Sequence, residues 1–320
     1  MHSCGGFPYL NQYIFAGYMP LFFICSGLTL HHKNKSLKEF MNNKTKRLLI
    51  PYFFYGIFFT LLFSIKYFLS GNIPKEIIYE WIGILYSRYT LFTNTTTNNI
   101  VFLSLKNTSP FWFLTAMYLS FFWCYIIIKL KNKFIKISIC VLYIIFTIYC
   151  YKLPILLPWS IDTSFLGALF ILFGFYLKKV LPYFSNKLTP LIISTSLYIL
   201  LVDYNGWINM STRLLGSQGY SSILFFFLIG ILYSIIICSI FIRFEKTILI
   251  KMFAYIGKYS LRIMCIHMTI FTLINKISFN VDLNKYIIAT INITIVILIC
   301  VFIEYYKKIY FNSTTILKWL

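Results

Sequence analysis

An all-α, polytopic integral membrane helix bundle is the fold class this sequence predicts, on three observations. Of the 320 residues 59% are apolar and only 12% charged, where a soluble domain carries about a quarter charged residues. The mean hydropathy is +0.78. The apolar residues also lie in runs long enough to cross a bilayer, for which a helix needs roughly 20 residues. An ordinary cytosolic enzyme, a disordered tail and a collagen-like fibre are excluded on these grounds. The 29 Lys and Arg against 8 Asp and Glu give a net charge of +21. In a soluble chain that excess would point to nucleic acid. At this hydropathy it belongs in the loops of a membrane protein, and no nucleic-acid partner is expected.

The predicted spans are Tyr13–Leu30, Leu48–Ser70, Pro110–Ile128, Phe134–Tyr151, Pro154–Leu177, Leu188–Val202, Tyr220–Ile242, Met252–Leu273 and Tyr286–Tyr305, nine in all. Their unbroken apolar character favours helices over barrel strands, which would alternate in polarity. Loop charges orient them, because inner loops collect Lys and Arg. The first connection carries Lys33, Lys35, Lys38, Lys44, Lys46 and Arg47 and is inside. The long connection from Gly71 to Ser109 carries only Lys75, Arg88 and Lys106, offset by Glu76 and Glu80, and is outside. The alternation continues: Lys129 to Lys136 in, Lys152 out, Lys178, Lys179 and Lys187 in, Asp203 and Arg213 out. It closes with Arg243, Lys246 and Lys251 in, Lys276, Asp282 and Lys285 out, and Lys307, Lys308 and Lys318 in. The N-terminus then lies outside, and no basic stretch precedes an apolar core as in a cleaved signal peptide.

Metal chemistry is not expected, since four His and eight carboxylates do not cluster at ligand spacing. The eight cysteines fall mostly inside apolar runs without a C-x-x-C pair, which reads as small buried side chains. There is no Gly-rich phosphate loop, no internal repeat, and no low-complexity tract beyond Asn94 to Asn99. Ionisable groups at membrane depth are expensive and tend to be kept for function, so Asp162, His267 and His2 are the candidates. Asp162 opens the fifth span and can equally serve as a helix cap. His267 can equally donate to a backbone carbonyl.

Several segments, in order along the chain, resemble the acyltransferase 3 family of integral membrane enzymes that transfer acyl groups, usually acetyl, to cell-surface sugars. They are Met19-Pro-Leu-Phe-Phe-Ile-Cys-Ser26-Gly27, Lys44-Thr-Lys46-Arg47 followed by Pro51, Pro110-Phe-Trp112-Phe-Leu, Trp159-Ser-Ile-Asp162 with Gly174, and Gly257 to His267. The wording around Met19-Pro20 and Pro110 is similar to the fucose 4-O-acetylase-like branch, with Tyr18 where that branch often has His. The family's first helix carries a basic residue and, about eleven positions on, a catalytic His. His2-Ser3 resembles the end of that motif, so the chain is expected to lack a first helix of a ten-helix fold and to form one domain over 1–320.

The resemblance implies acetyl-CoA as acyl donor, with no metal, and a cell-surface or lipid-linked sugar as acceptor in the bacterial plasma membrane, among membrane lipids. A high Ile, Lys, Asn and Tyr content is consistent with an AT-rich bacterial genome. A sugar hydroxyl needs a base with a pKa near neutrality to attack a thioester. The resemblance gives that role, or that of transient acyl carrier, to His2, with Asp162 orienting an imidazole or binding a sugar hydroxyl. Lys44, Lys46 and Arg47 are the candidates for the donor's phosphates, though basic residues flank inner helix ends in most membrane proteins. Ser26, Trp112 and His267 are the candidate substrate contacts. A polysaccharide polymerase or lipid-linked sugar flippase is the alternative, and it would be expected to carry more Arg in a large outer loop. A transporter would show paired halves and broken midplane helices.

Overall fold

The computed structural model describes residues 8–32, 35–69, 71, 74–88, 91, 111–153, 155–206, 208, 210, 222–278 and 285–310, which are all-α. The helices are α1 (Pro8–Leu28), α2 (Leu37–Lys44), α3 (Ile50–Leu69), α4 (Pro74–Tyr86), α5 (Trp112–Lys129), α6 (Lys133–Lys152), α7 (Ile161–Leu177), α8 (Leu181–Asn186), α9 (Leu188–Asn205), α10 (Ile223–Arg243), α11 (Ile248–Gly257), α12 (Ser260–Ser278) and α13 (Lys285–Tyr310). Among the described residues six helices are long and apolar enough to cross a membrane: 37–69, α5, α6, 158–177, α9 and α10. The chain is thus a multi-pass membrane helix bundle.

The elements depart from the sequence reading at three places. The second span begins earlier, because α2 runs through a π-helical turn, Thr45–Leu49, into α3 as one continuous 33-residue helix. The outer connection holds α4, whose Lys75, Glu76 and Glu80 resemble loop residues although Glu80 is buried. The predicted eighth span is divided at Lys258 and Tyr259 into α11 and α12.

Ser36 starts α2 with a capping box. Its hydroxyl accepts from the Glu39 amide at 3.3 Å, and the Glu39 carboxylate accepts from the Ser36 amide at 2.9 Å. Both satisfy amides that a helix start leaves without partners. Ser36→Ala is expected to lower stability by about 0.5–2 kcal/mol, read as a drop in the thermal midpoint of the detergent-solubilised protein.

Two compact units are present, residues 12–243 and residues 244–320 with 1–11. In the larger unit α7 is close-packed against α5 and α1. The Ser120 hydroxyl of α5 donates to the Ser164 carbonyl of α7 at 2.8 Å, and a Cβ on Gly167 would strike Ser120 and Phe23. Where α1 crosses α7, a Cβ on Gly27 would collide with the Ile171 carbonyl and one on Gly174 with the Ile24 carbonyl. Small residues are what lets helix backbones approach this closely in a membrane. Ala16, Tyr198, Val202, Ile229 and Ile236 join α1, α9 and α10. Trp123 and Phe165 stack at 4.7 Å, with Tyr143 of α6 edge-on to Phe165. In the smaller unit Arg262 of α12 pairs with Glu304 of α13 at 2.6 Å.

Candidate active site

Asp162 stands in the first turn of α7, at the end that the loop charges assign to the outer face. The chain reaches it through Trp159 and Ser160, which have φ of 54° and 60°. Two successive non-glycine residues in the left-handed region cost of order 1–3 kcal/mol each and persist only where their surroundings hold them. Here the Trp159 indole donates to the Leu85 carbonyl at 2.9 Å, the Ser160 hydroxyl donates to the Trp112 carbonyl at 3.4 Å, and Tyr86 donates to Leu156 at 2.8 Å.

Arg88 completes this cluster. α4 ends at Tyr86, and Ser87, at φ 59°, turns the chain so that Arg88 enters the bundle. The Arg88 Nη2 donates to Asp162 Oδ1 and its Nε to the Leu157 carbonyl at 3.2 Å, while Asp162 Oδ2 accepts from the Leu157 amide at 3.4 Å. The two side chains are 1% and 0% exposed. Taking both charges out of water is expensive, and the added backbone hydrogen bonds offset part of that cost. Beside them Thr115 donates to the Trp112 carbonyl at 2.9 Å and is itself hydrogen-bonded to Ser87 at 2.7 Å. Asp162 is therefore both an ion-pair partner and an acceptor for a first-turn amide of α7, that of Thr163 at 3.0 Å, and Arg88 is a buried group rather than an exposed loop charge. Trp112 is buried too, contributing its carbonyl to the network.

A second cluster lies further along α5. Its Phe121 is nine residues beyond Trp112 (121 − 112), about 14 Å along the helix axis. The Lys44 ammonium sits 3.4 Å from the Phe121 ring centroid and 5.4 Å from that of Phe40, within cation–π range. The Thr45 hydroxyl donates to Tyr118 at 3.3 Å. One turn before Phe121, Met117 accepts at 3.6 Å from the hydroxyl of Ser26, which also reaches the Phe22 carbonyl at 2.8 Å. The structure thus brings Ser26 and Lys44 onto one stretch of α5, while Lys46 and Arg47 are exposed on the π turn.

The remaining candidates are His267 and His2. His267 belongs to α12 of the smaller unit, with Nδ1 at 2.8 Å from the Met264 carbonyl and 3.0 Å from that of Ile263. His2 lies outside the described residues. Among the described residues no three His, Cys, Asp or Glu side chains stand together as metal ligands.

The larger unit thus holds a polar network at the start of α5 and a lysine laid on aromatic rings at its middle. The chain matches the acyltransferase 3 family, described as an acyltransferase domain, over residues 1–306. It belongs to that family and is a membrane acyltransferase, which requires an acyl donor and an acceptor. No curated protein and no solved structure matches the chain.

Proposed function

We propose that this chain is an O-acetyltransferase of the bacterial plasma membrane that moves acetyl from acetyl-CoA to a hydroxyl of a surface glycan, such as a capsule, exopolysaccharide or O-antigen sugar. The observation that carries this is the division of α5, with Lys44 and Ser26 on its middle and the Arg88–Asp162 network at its start. Acetyl-CoA is made in the cytoplasm and its phosphates seek cations, which Lys44, Lys46 and Arg47 supply at the inner side. The sugar meets the outer end, where Asp162 and the Trp112 segment form the acceptor side. The match over 1–306 runs through both compact units, in keeping with a single domain over 1–320.

In the reaction the sugar oxygen attacks the thioester carbonyl carbon, a C–O bond forms and the C–S bond breaks. His2 takes the hydroxyl proton and passes it to the departing thiolate, which leaves as CoA; in the covalent variant His2 first attacks the thioester carbonyl carbon and releases CoA, and the sugar oxygen then takes the acetyl group from the imidazole, its proton staying on His2. Asp162, fixed by Arg88, orients an imidazole or accepts from the sugar. His267 and Trp112 are each kept as candidate substrate contacts.

Lys44→Gln tests the donor assignment. With radiolabelled acetyl-CoA and everted membrane vesicles it is expected to raise KM for the donor about tenfold or more, the worth of one charge-assisted contact, with kcat little changed. An unchanged KM would remove Lys44 from the donor site.

A further inference from the structure

α11 is 10 residues long, about 15 Å, half the roughly 30 Å hydrocarbon thickness. It cannot span, yet none of its residues is buried, and Ile248, Leu249 and Met252 are 79%, 58% and 58% exposed. Such an apolar surface is not left to water. Lys251 and Lys258, seven residues apart, share one edge of the helix. Ile248, Lys251, Met252, Tyr255 and Ile256 form one shallow, open apolar face of α11, to which Lys251 contributes its stem. The Lys258 ammonium lies 5.4 Å from the Tyr255 ring, at the same edge. In sequence, α11 follows Arg243 and Lys246, residues that the loop charges place on the inner side.

We propose that α11 lies in the inner-leaflet interface and seats an anionic phospholipid, with an acyl chain along this apolar face and its phosphate against Lys251 and Lys258. A short helix with an apolar face and lysines at its edge binds at that depth, and the inner leaflet's anionic lipids attract lysines beside it. A second copy of the chain is disfavoured as occupant, because it would set lysines against lysines in a protein of net charge +21.

The test uses the full chain in nanodiscs of phosphatidylcholine with a minority of phosphatidylglycerol, carrying Met252→p-benzoylphenylalanine as a photocrosslinker. Irradiation is expected to join position 252 to lipid; a crosslink to a second copy overturns the proposal. In parallel, native mass spectrometry reads retained phosphatidylglycerol. Lys251→Glu/Lys258→Glu is expected to lower retention at least tenfold, each lysine near an anionic surface being worth about fivefold. Lys131→Glu/Lys133→Glu, at another inner loop, is expected to leave it unchanged. Equal retention by wild type and the α11 variant, or an equal loss in both variants, overturns it.

Discussion

Arg88→Ala and Asp162→Ala are each expected to destabilise the protein by about 3–5 kcal/mol, because either takes the opposite charge away from a buried one. Arg88→Met/Asp162→Leu is expected to regain most of that loss, since a buried ion pair contributes little net stability against an apolar pair of similar volume. The readout is the thermal midpoint in detergent, followed by acyl transfer in vesicles. If the Arg88–Asp162 pair serves only the fold, the refolded double variant transfers acyl groups normally. If Asp162 orients the reacting groups, the double variant folds and is inactive. A single variant as stable as wild type would show that the pair is not buried as described.

Gly174→Leu is expected to abolish the folded protein, and Gly27→Val to do the same, because each side chain would begin where a carbonyl oxygen of the facing helix lies. The helices would have to separate by ångströms, undoing the packing of α5, α7 and α1 that aligns both polar clusters. Gly257→Ala is the control: a Cβ there meets no atom within 4 Å, and alanine favours the helix by up to about 1 kcal/mol. Monodispersity on size-exclusion chromatography separates these outcomes. Retained folding in Gly174→Leu would refute the tight crossing.

The run lengths made the membrane bundle legible, and the motifs from Met19 to His267 made the family legible, since both are properties of contiguous residues. The Arg88–Asp162 pair was not legible, because its members lie 74 residues apart and pairing is a property of the folded chain. Asp162 was noticed for its place in an apolar run. Arg88, in a stretch that also carries Glu80, read as a loop charge. The same charges hid α4. Lys258 and Tyr259 are too few to interrupt an apolar count, yet they end α11 and turn the chain into α12. Lys44 was legible as an inner cation but not as a group laid on Phe121, for which the π turn is required.

That π turn sets the phase of a row of side chains. Phe40, Lys44, Leu48 and Tyr52 are four residues apart, and Phe40 and Lys44 meet Phe121 while Tyr52 meets Phe111, all on or beside α5. In an unbroken α-helix, three steps of four residues would carry the row about 120° round the axis. The one residue that a π turn takes up beyond an α turn returns it by about 100°. Deleting Thr45 would therefore leave hydropathy and charge almost untouched while swinging Lys44 about a quarter of a turn away from Phe121. The spacing between Lys44 and Tyr52 is as strict a determinant as the side chains themselves, and loss of one codon there would act like loss of the lysine.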